Sequence, residues 1–177
     1  MILRDFIRKQ RQIPIGKDDV LAMIYRKDCR YFFYNDITQH TTLKELLPKE
    51  NSGCVILFEK KNEDMGHFTL LFQNKRSGFH FFDPYGFGMK KVMELTGSDH
   101  KLQQLIRGTD IHINKHAFQK IRDGKAAVNT CGRHVACRYN CAHMKPSEYE
   151  RFLHHRGMDP DDIVTMLTCE QDLSKLS

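Results

Sequence analysis

Between Gly53 and Gly86 the chain has little choice but to build a sheet. Gly53 leads into Cys54-Val55-Ile56-Leu57-Phe58, a continuous apolar run that reads as a buried strand. His67-Phe68-Thr69-Leu70-Leu71-Phe72 reads as a second strand and Phe79-His80-Phe81-Phe82-Asp83 as a third, since both are dense in aromatic and branched residues. Asn74 to Gly78 carries turn chemistry, and Pro84-Tyr85-Gly86 stops the third strand. The spacing predicts an antiparallel hairpin beside another strand.

Helical signals flank this block. Residues 17–25 read as a short helix with acids in its first turn, and 30–34 as an aromatic strand. Thr41 or Thr42 can cap a helix that runs to Leu47, where Pro48 stops it. Ser98 caps a helix over 99–107 ended by Gly108, and Ile111-His112-Ile113 alternates like a short strand. From 131 to 144 the pattern is helical, closed by Lys145-Pro146. Ser147 with Glu150 forms a capping box for a helix to about Arg156, ended by Gly157, and Asp159-Pro160 opens a last helix. Strands in the middle with helices at both ends predict an α+β class. A length of 177 residues suits a single domain, 1–177, able to bury a core without staples.

Composition narrows the compartment and the partners. Forty per cent hydrophobic and 28 per cent charged residues exclude a disordered chain. The excess of 28 basic over 22 acidic residues gives a formal +6, which favours a soluble basic surface and allows contact with a polyanion such as DNA. The basic residues are dispersed rather than clustered. No apolar run approaches the ~18 residues of a membrane span, and Met1-Ile2-Leu3-Arg4-Asp5 lacks a signal-peptide core. A reducing cytosol, nucleus or virus particle is the expected setting, so the six cysteines read as free, mostly small buried hydrophobes.

Three residues then stand out chemically. Cys131 follows Asn129-Thr130, both good capping residues, so a helix opens at or near the thiol. A thiol there faces the positive end of the helix dipole and unpaired amides, which favour the reactive thiolate and can donate to an oxyanion. Gly132 leaves room for a substrate backbone to approach. On position alone, Cys131 reads equally as one more buried cysteine. His67 and Asp83 lie on the two hairpin strands. Folding the turn near Lys75 or Arg76 puts them opposite or one pair apart, within reach if they share a face. A carboxylate that orients an imidazole is what a catalytic histidine needs, although a surface pair at a hairpin mouth would share the spacing.

The wording of these segments resembles a known family. Gly66-His67-Phe68-Thr69-Leu70-Leu71, then Phe81-Phe82-Asp83-Pro84-Tyr85-Gly86, then Asn129-Thr130-Cys131-Gly132-Arg133 is similar to the signature of adenovirus-protease/Ulp1-like cysteine peptidases. The order His, Asp, Cys also agrees, and the resemblance is strongest over 50–140. It is nearest to the capsid-maturation proteases of virophages and large DNA viruses. It implies a papain-like α+β fold in which a small antiparallel sheet packs on a helix that starts at the nucleophile. It implies Cys131 as nucleophile, His67 as general base and acid, and Asp83 as the group that orients the histidine. The family places an oxyanion-donating glutamine shortly before the cysteine. Gln119 is the glutamine in that interval, with a longer loop (Lys120 to Thr130, containing Gly124) behind it. Phe68 stands where the family often has Trp, and His134 where viral relatives carry an aromatic. His134 lies one turn beyond Cys131, so it reads as structural or substrate-facing and not as the base.

The resemblance implies a viral endopeptidase that cuts capsid or core precursors beside small residues such as Gly, in the virion and the host-cell cytoplasm. A deconjugase of ubiquitin or a ubiquitin-like modifier shares the same triad. An inactive or DNA-associated binding module is a third reading. No cofactor is expected, no membrane is expected as a partner, and a monomer is. DNA or a peptide is a possible activator, and any of the other five cysteines could tether one. Cys131, His134, Cys137, Cys141 and His143 form a dense run, but all sit on one helical stretch, which does not suit tetrahedral zinc.

Overall fold

The computed structural model describes residues 2–59, 66–122, 125–126 and 128–169. Gly124 lies outside the described residues. A five-stranded sheet runs β1 (Cys29–Phe33), β2 (Gly53–Glu59), β3 (Gly66–Asn74), β4 (Gly78–Phe82), β5 (Ile111–Ile113), with neighbours in that order. The central pairs β2–β3 and β3–β4 are antiparallel, as the turn residues predict. The outer pairs are not: β1 runs parallel to β2 and β5 parallel to β4, so the sheet is mixed where an antiparallel one was expected. Parallel neighbours need crossover connections, and both crossovers are here. One carries α3 (Leu43–Leu46), the other α4 (Gly88–Thr96) and α5 (Lys101–Leu105). The chain is α+β.

Alternation along the central strands feeds two cores, one on each face of the sheet. Val55, Leu70, Phe72 and Phe82 pack with Val135 and Tyr139 of α6 (Cys131–Asn140), Tyr149 of α7 (Pro146–Leu153) and Val164 of α8 (Pro160–Thr168). Ile56, Phe58, Leu71 and Phe81 pack with Leu46, Met93 and Leu102 on the opposite face. Each such side chain contributes about 1.5–3 kcal/mol on burial. The sheet is therefore a rigid floor, and α6 is pressed directly onto β3. A small hairpin of β6 (Ile121–Arg122) and β7 (Lys125–Ala126) precedes α6.

Several helix boundaries differ from the sequence expectation, each for a local reason. Thr42, not Thr41, caps α3: its Oγ1 accepts from the Glu45 amide and Glu45 returns a carboxylate to the Thr42 amide. Ser98 does not start a helix. Its amide donates to Met93 O, closing α4 behind Gly97 at φ 66°, and α5 begins only after His100. The helix expected over 131–144 ends at Asn140, because the Arg138 guanidinium takes the carbonyls of Cys141 and Met144. Pro146 opens α7 instead of closing its predecessor, and Glu148 accepts from the Lys145 amide where Glu150 had been expected to pair with Ser147. α7 also stops early, at Leu153. Two helices escaped the sequence altogether. α1 (Ile2–Gln10) shows no capping residue and buries Ile7 while leaving Leu3 exposed. α4 carries a readable apolar stripe of Met89, Val92, Met93 and Thr96, interrupted by Lys90 and Lys91.

Candidate active site

The hairpin register explains how His67 meets Asp83. Leu70 pairs with Phe82, so continuing the ladder puts Thr69 opposite Asp83 and His67 two residues further along. Residues two apart on a strand share a face, so the diagonal pair can touch. His67 Nε2 lies 2.7 Å from Asp83 Oδ1, and both side chains are buried.

Asp83 itself is caged by backbone. Oδ1 also accepts from the Tyr85 amide at 2.9 Å, and Oδ2 from the amides of Phe87 at 2.8 Å and Gly88 at 3.2 Å. The Pro-Tyr-Gly-Phe-Gly loop can wrap a carboxylate this tightly because Gly86 and Gly88 adopt positive φ, 66° and 76°. Gly86 also has no room for a side chain: a Cβ there would lie 2.6 Å from the His116 carbonyl. Asn114 grips the Asp83 backbone from the other side, accepting from its amide at 2.8 Å and donating to its carbonyl at 2.7 Å. The carboxylate thus cannot turn away from the imidazole.

With Nε2–H donated to Asp83, Nδ1 of His67 is left as the acceptor. No described group meets Nδ1 with good hydrogen-bond geometry, yet the Cys131 sulfur is close enough to the ring to favour its protonated form. A long or bent thiol–imidazole contact reconciles the two observations, as is common before substrate binds. Burial alone would push His67 down. The hydrogen bond to Asp83, the contact with Cys131 and the negative charge of both outweigh it, lifting the imidazole from 6.5 to about 9. Tyr85 stacks on the ring, centroids 4.3 Å apart at 20°, and shields it from water. Burial, with the nearby Cys131 and Asp83 charges, raises the Tyr85 hydroxyl above its ordinary value, so it remains a neutral phenol.

Cys131 is the first residue of α6 and half-buried. The two residues expected to cap this helix do not. Thr130 is the N-cap, but its hydroxyl donates to Asp161 instead of accepting from the helix. Asn129 turns its side chain and its amide to the N-terminal segment, donating to Gln12 O at 2.7 Å and Arg11 O at 2.8 Å. Among the described residues the amides of Cys131 and Gly132 have no hydrogen-bond partner, so the positive end of the helix is open beside the thiol. Gly132 does not serve substrate approach, as its place after the thiol suggested. A Cβ there would sit 2.6 Å from Val20 Cγ2 and 2.7 Å from Ile15 Cδ1, so the glycine admits the N-terminal segment against α6.

Gln119 is buried next to this loop. Its Nε2 donates to Val128 O at 2.6 Å, bridging the base of the β6–β7 hairpin that accounts for its distance from Cys131 in sequence. The amides of Phe118 and Gln119 both donate to Pro84 O, which ties the segment to the Asp83 loop. One N–H of the Gln119 side chain remains after the Val128 bond. His134 is fully buried and donates from Nε2 to Asp161 at 2.9 Å, so it is structural and not substrate-facing. Asn114, Tyr85, Thr130 and Asp161 carry geometry that the sequence motifs did not assign. Among the described residues no cluster of three or more His, Cys, Asp or Glu side chains is arranged to hold a metal ion, and no helix is long and apolar enough to cross a membrane.

Fold and site together define an α+β protein with a buried Asp–His pair on a hairpin facing a cysteine at an uncapped helix N-terminus. The sequence matches no known family model, and no curated protein matches it. Among solved structures, one similar chain is the central domain of the uncharacterized Lpg1148 protein from Legionella pneumophila. It is 14% identical, with a TM-score of 0.49 over 93% of this chain and 99% of that one.

Proposed function

We propose that this chain is a cysteine peptidase with a papain-like arrangement of the adenovirus-protease/Ulp1 type, working as a viral endopeptidase on capsid or core precursors. The observation that carries the reading is the 2.7 Å Asp83–His67 bond, aimed so that the free ring nitrogen is the acceptor for the Cys131 proton. The Cys131 thiolate attacks the scissile carbonyl and an S–C bond forms. The oxyanion is met by the open α6 amides and by the remaining Gln119 N–H. Imidazolium His67 gives its proton to the leaving amine as the C–N bond breaks, leaving a thioester. His67 then takes a proton from water, whose oxygen displaces the sulfur, and the acid product leaves with the thiol restored. Asp83 holds the tautomer throughout. The family wording adds cleavage beside small residues such as Gly, action in the virion and host-cell cytoplasm, and DNA or a peptide as activator; the formal charge of +6 accords with a polyanion.

The test is an N-terminal proteomic comparison of denatured viral structural proteins treated with wild type and with Cys131→Ala. New termini that follow Gly and depend on Cys131 are expected. Their absence with and without added DNA, together with fast labelling by a ubiquitin-like vinyl sulfone probe, would transfer the reading to a deconjugase. Neither reaction in the wild type would refute the peptidase.

A further inference from the structure

We propose that Asp161, at the start of α8, is a positioning residue that fixes Cys131 and holds the α6 N-terminus open; this rests on the reading of Cys131 as nucleophile. Asp161 is fully buried, and α8 supplies none of the groups assigned to catalysis. Its carboxylate gathers three donors from three parts of the site. Oδ1 accepts from the hydroxyl of Thr130, the residue before Cys131, and from His134 Nε2 at 2.9 Å, one helical turn beyond the thiol. Oδ2 accepts from the Lys120 amide at 3.0 Å, immediately after Gln119. One side chain thereby sets the distance between the nucleophile's helix and the segment bearing the oxyanion donor. Burial would raise the carboxyl, but the bonds from His134, Thr130 and Lys120 outweigh it and hold Asp161 ionised, below its ordinary range.

The second consequence concerns the cap. A threonine at the N-cap normally turns its oxygen to the second or third amide of the helix. Here Asp161 claims the hydroxyl as a donor, and the Thr130 side chain makes no cap bond to α6. Without Asp161, Thr130 is free to rotate onto those amides, where it would compete with an oxyanion and blunt the field at the thiol. A residue serving only stability would have no reason to draw the cap away from the one helix that begins at a reactive cysteine. Asp161 itself is anchored by its amide on Asp159 Oδ1 and by Thr165, which donates to its carbonyl.

The experiment measures iodoacetamide labelling of Cys131 by mass spectrometry, with kcat, KM and melting temperature, in the full chain. Thr130→Val keeps the side-chain volume and removes the donor. It should label Cys131 about tenfold more slowly, the order expected for one lost bond to a charged group, with kcat reduced and KM unchanged. Thr130→Ser should return the rate to within about twofold, because the donor is back. Asp161→Asn should fall at least as far, and adding Thr130→Val to it should slow labelling no further, since the Thr130–Asp161 bond is common to both. Wild-type labelling in Thr130→Val, or a loss that follows melting temperature and is not rescued by serine, overturns the proposal while the peptidase stands. A wild-type Cys131 that labels no faster than the other five cysteines overturns both.

Discussion

Replacing Asp83 with asparagine isolates the electrostatics of the pair, because the side chain keeps its shape. The wild-type carboxylate faces donors on both oxygens: His67 and the Tyr85 amide on one, the Phe87 and Gly88 amides on the other. An amide can satisfy only one of these pairs and must turn its NH2 on the other. If its oxygen faces the loop amides, its NH2 faces Nε2, and His67 is forced into the Nδ1–H tautomer. That tautomer cannot accept the Cys131 proton. If its oxygen faces His67, two partly buried loop amides lose their acceptor, at a cost of at most roughly 1–3 kcal/mol. The imidazolium also loses its partner. Lifting His67 from 6.5 to about 9 takes about 3 kcal/mol of net preference for the charged ring, against a burial effect of opposite sign. Asp83 and Cys131 together therefore supply more than that, and Cys131 alone has to overcome burial once Asp83 is neutral.

The assay is the pH profile of Cys131 alkylation and of kcat/KM between pH 5 and 10. In the wild type the alkaline limb of kcat/KM should fall near 9, as His67 gives up the proton that the leaving amine needs, whereas alkylation, which needs only the thiolate, should not fall there. In Asp83→Asn that limb should move at least about one unit lower, and the plateau of kcat/KM should drop by up to about 10⁴-fold, the size of the loss when a triad aspartate is made asparagine. Circular dichroism and melting temperature separate this from unfolding. A folded Asp83→Asn protein whose rate stays within about threefold of wild type, with the limb still near 9, would refute the argument that Asp83 sets the tautomer and charge of His67.

His67 binds its proton more tightly folded than unfolded, so its contribution to stability is complete below about pH 6.5 and is lost as pH rises through about 9. The melting-temperature difference between wild type and His67→Gln should therefore shrink across that window, and a difference that grows with pH would contradict the assigned shift. Gly132→Ala should destabilise by about 1–3 kcal/mol through overpacking against Val20 and Ile15, and Ile15→Ala in the same chain should recover part of the loss. A Gly132→Ala protein that melts like wild type but shows a raised KM would return the glycine to a substrate-facing role.

What could be read from the sequence was whatever a short stretch of chain decides for itself. The His67–Asp83 pair was legible because a tight turn fixes hairpin register, and register fixes which residues share a face. The parallel edges of the sheet were not, since β1 and β5 reach their partners through crossovers whose direction no local pattern records. The same division runs through the site. The loop that cages Asp83 lies within five residues of it, and its glycines were visible as turn chemistry. Asn114 and Asp161 each act across 31 residues, on Asp83 and on Thr130, and nothing near either marks it out. Gly132 shows how one residue admits two reasons: a small residue after a helix-opening cysteine serves ligand approach or packing equally well, and only the fold brings Ile15 against it. Thr130 shows the reverse, a good capping residue whose hydroxyl is drawn off by a distant carboxylate. At the head of α6 local preference and tertiary structure pull in opposite directions, and tertiary structure prevails. Such conflicts are kept where a function needs them, which makes the uncapped N-terminus beside Cys131 a stronger sign of chemistry than a well-capped helix would have been.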